Sequence, residues 1–135
     1  MTYKFTNAIV RKPNKSIHNA LSSQYLHPSY EKILEIHDNY INSIEEAGLN
    51  IILLERLEQY PDSVFVEDPA LIFKNNIIVL NPSDVTRNGE AKIIKNEISK
   101  YFEKTFVVEK GKIEGGDILN INNHFIIGLS NRTDK

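Results

Sequence analysis

Two short segments of similar pattern set the strongest limit on what this chain can fold into. Asn75-Asn76-Ile77-Ile78 and Asn123-His124-Phe125-Ile126 each put turn-forming polar residues ahead of apolar ones, and they lie roughly 48 residues apart, an interval typical of repeated structural units. Each sits inside a hairpin pattern. Ala70 to Phe73 and Ile77 to Leu80 flank Lys74-Asn75-Asn76, while Ile118 to Ile121 and Phe125 to Gly128 flank Asn122-Asn123-His124. The first hairpin is followed by Thr86-Arg87-Asn88, a helical pattern from about Asn88 to Phe102 and a strand at Phe106 to Val108. The second is followed by Asn131-Arg132-Thr133-Asp134, a helix start at which the 135-residue sequence stops. Repeat units bury their faces against neighbours, so the pattern predicts an α/β chain holding an unfinished array of units.

The N-terminal part extends that reading. Tyr3 to Arg11 alternates as a strand becoming buried on both faces, and Pro13 ends it. The segment from Lys15 to His27 has little periodicity, and residues 12–28 are expected to form a lid loop or a plain surface connection. From Ser29 to Ala47 the apolar residues Tyr30, Ile33, Leu34, Ile41, Ile44 and Ala47 recur at helical spacing, with Ser29 as cap and Gly48 just past the end. His37 lies on or near that stripe and reads as a packing histidine. Leu49 to Leu54 follows as a strand. In the later helix Ala91, Ile94, Ile98, Tyr101 and Phe102 share one side, with Glu90 in the first turn, where the helix dipole favours an acid.

Between these parts lies Pro61-Asp62-Ser63-Val64-Phe65-Val66-Glu67-Asp68-Pro69. Val64 to Val66 reads as a short buried strand. Pro69 holds Asp68 extended and cannot donate to a ladder, so Glu67 and Asp68 are expected at the rim of a sheet. Fully extended, the stretch would put Asp62 and Glu67 about 16 Å apart; either the chain bends or the acids serve different parts of a site. Gathered carboxylates need a cation, a metal or N–H donors to receive. On composition alone the favoured reading is a surface turn with solvated acids.

Composition removes several classes. With 16 basic and 18 acidic residues and a net charge of −2, the chain has no broad cationic field for nucleic acid or an anionic membrane. No apolar run is long enough to span a bilayer and no signal-peptide pattern opens the chain, which predicts a soluble, cytoplasmic product. There are no cysteines, so disulfides, thiolate metal sites and a thiol nucleophile are all excluded from these residues. Nothing in the composition calls for a metal.

The segment Pro61 to Pro69 resembles the signature of the dimethylarginine dimethylaminohydrolases, members of the guanidine-modifying amidinotransferase or pentein superfamily. Further motifs follow the family's order: Phe5-Thr6-Asn7-Ala8-Ile9-Val10-Arg11, Thr86-Arg87-Asn88-Gly89-Glu90, Glu114-Gly115-Gly116-Asp117 and Gly128-Leu129-Ser130-Asn131-Arg132-Thr133. The resemblance implies a pentein-type α/β propeller, a ring of five ββαβ units, of which residues 1–135 would form a single incomplete domain of between two and three units. A ring cut open exposes apolar faces, so self-association or a complementing C-terminal chain is expected.

The implied reaction is hydrolysis of an N-omega-methylated arginine to citrulline and an amine, without a cofactor. A guanidinium is planar, permanently charged and rich in N–H donors, and carboxylates that accept in its plane fit it. The resemblance assigns Asp62 and Asp68 to the guanidinium, with Glu67 in support, and makes Leu21 the lid leucine that closes on substrate. It assigns Arg87 and Arg132 to the substrate's α-carboxylate; apart from it, each reads as a solvent-exposed arginine at a helix start. Glu114 matches the acid that orients the catalytic histidine, and Gly115-Gly116 beside it permits close backbone approach and positive φ. Asp117 reads as structural. The family's mechanism uses a cysteine nucleophile and a histidine proton carrier. This chain has no cysteine, and His18, His27, His37 and His124 do not match the histidine's position. Three readings follow: the substrate-binding portion of such a hydrolase, inactive alone; a non-catalytic binder of arginine-like small molecules; or one chain of a split enzyme.

Overall fold

The computed structural model describes residues 5–22, 28–87, 89–121 and 124–135. Tyr3, His27, Asn88, Asn122 and Asn123, which figure in the sequence expectations, lie outside the described residues. The chain divides into two compact units, residues 1–65 and 66–135.

The first unit is a βαβ unit. β1 (Asn7–Arg11) and β2 (Asn50–Leu54) pair in parallel, with Asn7 opposite Asn50 and Arg11 opposite Leu54. Parallel neighbours need a long crossover, and α1 (Tyr30–Glu46) supplies its helical part. Ser29 caps α1 by accepting the Lys32 N–H at 3.2 Å, and Gly48 follows the helix with a φ of 87°. The expected stripe is present: Tyr30, Ile33, Leu34, His37, Ile41 and Ile44 are half-buried, although Ala47 is exposed. Val10 of β1 and Leu54 of β2 are buried.

The loop after β1 is tied to the segment that closes the unit. A 3-10 turn occupies Lys15–Asn19. Asn14, fully buried, donates to the Tyr60 carbonyl at 2.8 Å and to Ser63 Oγ at 3.0 Å. Ser63 N–H bonds to Tyr60 O, and Phe65 N–H bonds to Asp62 O. These i to i+3 bonds wind residues 61–64 into turns, so the strand expected at Val64 to Val66 does not form. A buried amide that needs acceptors outweighs three apolar residues, of which Phe65 is exposed.

The second unit contains a complete ββαβ unit and a further hairpin. β3 (Ala70–Phe73) and β4 (Asn76–Val79) form the first hairpin, turning through Lys74, whose φ is 56°, and Asn75. α2 (Glu90–Ile98) leads through a 3-10 turn, Ser99–Tyr101, to β5 (Lys104–Val107), which pairs in parallel with β4. Tyr101, expected on the buried side, is exposed because the 3-10 turn leaves the 3.6-residue stripe. Ile77, Val79, Leu80, Ile94 and Ile98 make the core.

β6 (Ile118–Ile121) and β7 (His124–Ile127) form the second hairpin. The repeat extends beyond its strands. In the first hairpin Leu80 N–H returns to Pro69 O at 2.8 Å; in the second Gly128 N–H returns to Asp117 O at 2.9 Å. Phe73 and Phe125 meet edge to face at 5.1 Å, linking the two hairpins.

Candidate functional site

Glu67 and Asp68 stand just ahead of β3, as the proline rule predicts, and Pro69 behind them is buried. Their backbone is in direct contact with the Glu114-Gly115-Gly116-Asp117 motif. Gly115 N–H donates to Asp68 O at 3.0 Å, and a Cβ built on Gly115 would lie 2.0 Å from Glu67 O. The close approach expected of the glycine pair is therefore real at Gly115. The positive φ is not: the described glycines with positive φ are Gly48, Gly89 and Gly111.

On this support sit two clusters, each of two carboxylates around one arginine. In the first, Arg87 is buried between Asp68 and Glu90. Its Nη1 donates to Asp68 Oδ2, while Nε and Nη2 donate to Glu90 Oε2 and Oε1 at 2.9 and 2.8 Å. This fork is the geometry that makes arginine–carboxylate pairs strong. Burial alone would lower the Arg87 pKa, but the hydrogen bonds and charges of Glu90, then Asp68, outweigh it and raise the pKa. Arg87 is thus not the solvent-exposed helix-start arginine of the plainer reading. Glu90, only 1% exposed, was legible as an acid in the first turn of a helix. Its partnership was readable only from the Arg87-x-x-Glu90 spacing, which brings the two together across the helix start.

In the second cluster Glu114 is buried and receives Ser83 N–H and Ser83 Oγ–H at 3.4 and 3.3 Å on one oxygen. Its other oxygen meets Arg132 Nη1 at 3.1 Å. Arg132 is 59% exposed at its side chain and reaches Asp117 at 3.9 Å with Nη2. Asp117 accepts from Thr133 Oγ1 at 2.6 Å and Ser130 Oγ at 2.8 Å, and those bonds, with Arg132 nearby, hold its pKa below the usual carboxylate value. It fixes the chain around Arg132, in keeping with a structural part.

In the first unit, Asp62 is buried and its carboxylate accepts the Leu21 N–H at 3.1 Å, with Leu21's side chain exposed. The bonded turns place Asp62 in a turn. His37 is half-buried within its unit, and desolvation lowers its pKa against the opposing backbone bond to Arg11 and the charge of Asp38. Glu67 is exposed. Among the described residues no group of three or more His, Cys, Asp or Glu is placed to hold a metal ion.

The second unit thus combines a ββαβ unit, a repeating hairpin, and carboxylates set against arginines. Residues 5–135 match the family model described as N,N dimethylarginine dimethylhydrolase, eukaryotic, and the chain belongs to that family. It is 38% identical over 133 residues to the N(G),N(G)-dimethylarginine dimethylaminohydrolase of Pseudomonas aeruginosa, covering 96% of this chain and 52% of that protein. The corresponding Streptomyces coelicolor protein is 28% identical, with 94% and 50% covered. The chain thus spans about half the length of the curated relatives it matches. A solved Pseudomonas aeruginosa structure, a mutant complexed with citrulline, superposes with a TM-score of 0.92 at 38% identity, over 98% of this chain and 53% of that one. The N-terminal domain of the arginine dihydrolase ArgZ shares the fold alone, with a TM-score of 0.73 at 16% identity over 86% of this chain and 45% of that one. The architecture is accordingly that of part of a pentein-type α/β propeller, between two and three ββαβ units.

Proposed function

We propose that this chain supplies substrate-binding groups to a hydrolase that cleaves N-omega-methylated arginines to citrulline and an amine. One observation carries the reading. Asp68 and Glu114 each already hold an arginine guanidinium, those of Arg87 and Arg132. Both carboxylates are therefore shaped and oriented to accept planar N–H donors, the feature a substrate guanidinium presents.

The second cluster supports a partner exchange. A ligand guanidinium arriving at Glu114 replaces Arg132, and the released Arg132, largely exposed, meets the ligand's α-carboxylate. No charge is left unpaired at either end, so a ligand bearing both groups is favoured over one bearing a single group. Asp68 takes the remaining N–H donors, Arg87 holds Asp68 in place, and Glu67 stands beside it. In the first unit, the Asp62 carboxylate that receives the Leu21 amide accepts N–H donors of the same kind, with residues 12–28 as the loop that carries Leu21.

Attack on the guanidinium carbon needs a nucleophile. The chain contains no cysteine, so on the family's covalent scheme the thiol comes from outside these residues, and Glu114 is the group here that orients the partner histidine. The chain alone binds and does not turn over. Calorimetric titration with dimethylarginine, arginine and citrulline tests this. Saturable binding is expected, weakened at least tenfold by Asp68→Ala and by Arg132→Ala. Binding unchanged in both variants would sink the reading.

A further inference from the structure

Among the described residues, two buried charged side chains have no part in the proposed binding scheme, Arg11 and Glu90, and Glu90 is the one bonded to an arginine of the acid–arginine clusters. It is among the most deeply buried charged side chains of the molecule, at 1% exposure. A carboxylate so placed is costly unless a partner satisfies it, because its desolvation exceeds what a single ordinary hydrogen bond returns. Both Glu90 oxygens are satisfied by one residue, Arg87, through Nε and Nη2. The same guanidinium turns its remaining terminal nitrogen, Nη1, to Asp68.

This arrangement has a directional consequence. A two-point fork fixes the plane of a guanidinium as well as its position. Once Glu90 has fixed that plane, the direction of the third nitrogen is fixed too, and with it the orientation of the Asp68 carboxylate. Glu90 is well placed to be the rigid end of the relay. It is the first residue of α2, directly after Gly89, whose φ of 93° starts the helix, and the positive end of the helix dipole favours its charge. About one and two turns further along α2, Ile94 and Ile98 anchor the helix in the core at 1% and 2% exposure.

We infer that Glu90 is a positioning residue: anchored at the start of α2, it clamps Arg87 and through it orients Asp68 for the guanidinium of the ligand. The inference rests on the binding reading above for its functional meaning, while the clamp itself is a statement about this chain. A neutral replacement shows why charge and shape both matter. In Glu90→Gln one oxygen still accepts, but the amide nitrogen faces an Arg87 N–H, donor against donor, and the fork is lost.

The test uses the whole chain and two readouts. The first is solvent exchange of the Arg87 side-chain Nε–H, followed by nuclear magnetic resonance, with Arg87→Lys assigning the signal. Exchange is expected to quicken at least tenfold in Glu90→Gln. The second is calorimetric titration with dimethylarginine. Affinity is expected to fall at least tenfold in Glu90→Gln and to recover in part in Glu90→Asp, which keeps the charge and loses reach. Backbone amide spectra establish that each variant is folded. If Glu90→Gln does not fold, Glu90→Asp carries the test alone, with a several-fold loss of affinity and faster Nε–H exchange expected. Asp68→Asn separates the two claims. If Asp68→Asn abolishes binding while the Glu90 variants bind like the parent chain, the inference is overturned and the binding reading stands. If Asp68→Asn binds normally, or the parent chain binds nothing, the binding reading falls. The clamp is then decided by exchange, and an Nε–H rate unchanged by the Glu90 variants overturns it.

Discussion

Gly115→Ala should be among the most damaging single-methyl changes in the second unit. The added carbon would sit 2.0 Å from the Glu67 carbonyl oxygen, 3.0 Å from its carbonyl carbon and 3.3 Å from Asp68 Cα. A carbon and a carbonyl oxygen settle at about 3.3 Å or more, so the two backbones must part by roughly 1.3 Å. Both sides are main chain and cannot step aside as a flexible side chain would. Overpacking of this kind costs about 1–3 kcal/mol. The same displacement stretches the Gly115 N–H bond to Asp68 O, now 3.0 Å, which forfeits about 1 kcal/mol. The total, about 2–4 kcal/mol, corresponds to a thermal midpoint lowered by roughly 6–16 °C for a chain of this length. Gly116→Ala is the internal control. Its Cβ would meet only Asp68 Oδ1, at 3.8 Å, and neither glycine has positive φ. That change should be neutral, or slightly stabilising through the stiffer unfolded chain. Thermal unfolding by circular dichroism of parent and both variants measures the difference. A Gly115→Ala midpoint matching that of Gly116→Ala would refute the contact between the two motifs.

Two further outcomes concern the first unit. Ser29→Ala removes the cap on Lys32 N–H and should lower stability by about 1 kcal/mol, with Ser29→Asp retaining most of it, as read from denaturant unfolding. Burial lowers the His37 pKa from 6.5, so the unfolded chain takes up this proton at a higher pH than the folded chain does. Stability attached to His37 is therefore complete above that unfolded value and is lost as pH falls through the lowered folded value. His37→Phe should flatten that acid-side decline, which thermal midpoints between about pH 7.5 and pH 5 would show. An unchanged slope would remove His37 as its source.

The elements that periodicity controls were readable in advance. The α1 stripe, the Ser29 cap and both hairpins follow from local spacing and turn chemistry, and the structure places them within a residue or two of expectation. Val64 to Val66 shows where that logic ends. Its apolar pattern fits a strand, but Asn14, far away in sequence, takes the Tyr60 carbonyl and Ser63 hydroxyl and leaves a turn. The candidate site divides in the same way. Asp68, Arg87, Glu114 and Arg132 were marked by motif, yet which acid each arginine holds depends on tertiary approach. Glu90 looked like an ordinary first-turn acid because burial is invisible in a helix pattern whose other face is polar. The contact of Gly115 with Glu67 joins segments that no local rule relates.

The pairing of β4 has a consequence for the order of assembly. On one edge it meets β3 through a two-residue turn, and on the other it meets β5 across α2, where Asn75 and Glu103, bonded side chain to side chain, are 28 residues apart. Hairpins close in about 1–10 μs, whereas a distant parallel partner must wait for a larger loss of chain entropy. The β3–β4 hairpin can thus present a preformed edge before α2 has docked, and β5 joins a template already in register. In the first unit, β1 and β2 have no such starter among the described residues: Asn7 and Asn50 are 43 residues apart and pair directly in parallel. Nucleation falls to the part of the chain that also carries the acid–arginine clusters, while the strands joined through α1 face the slower search.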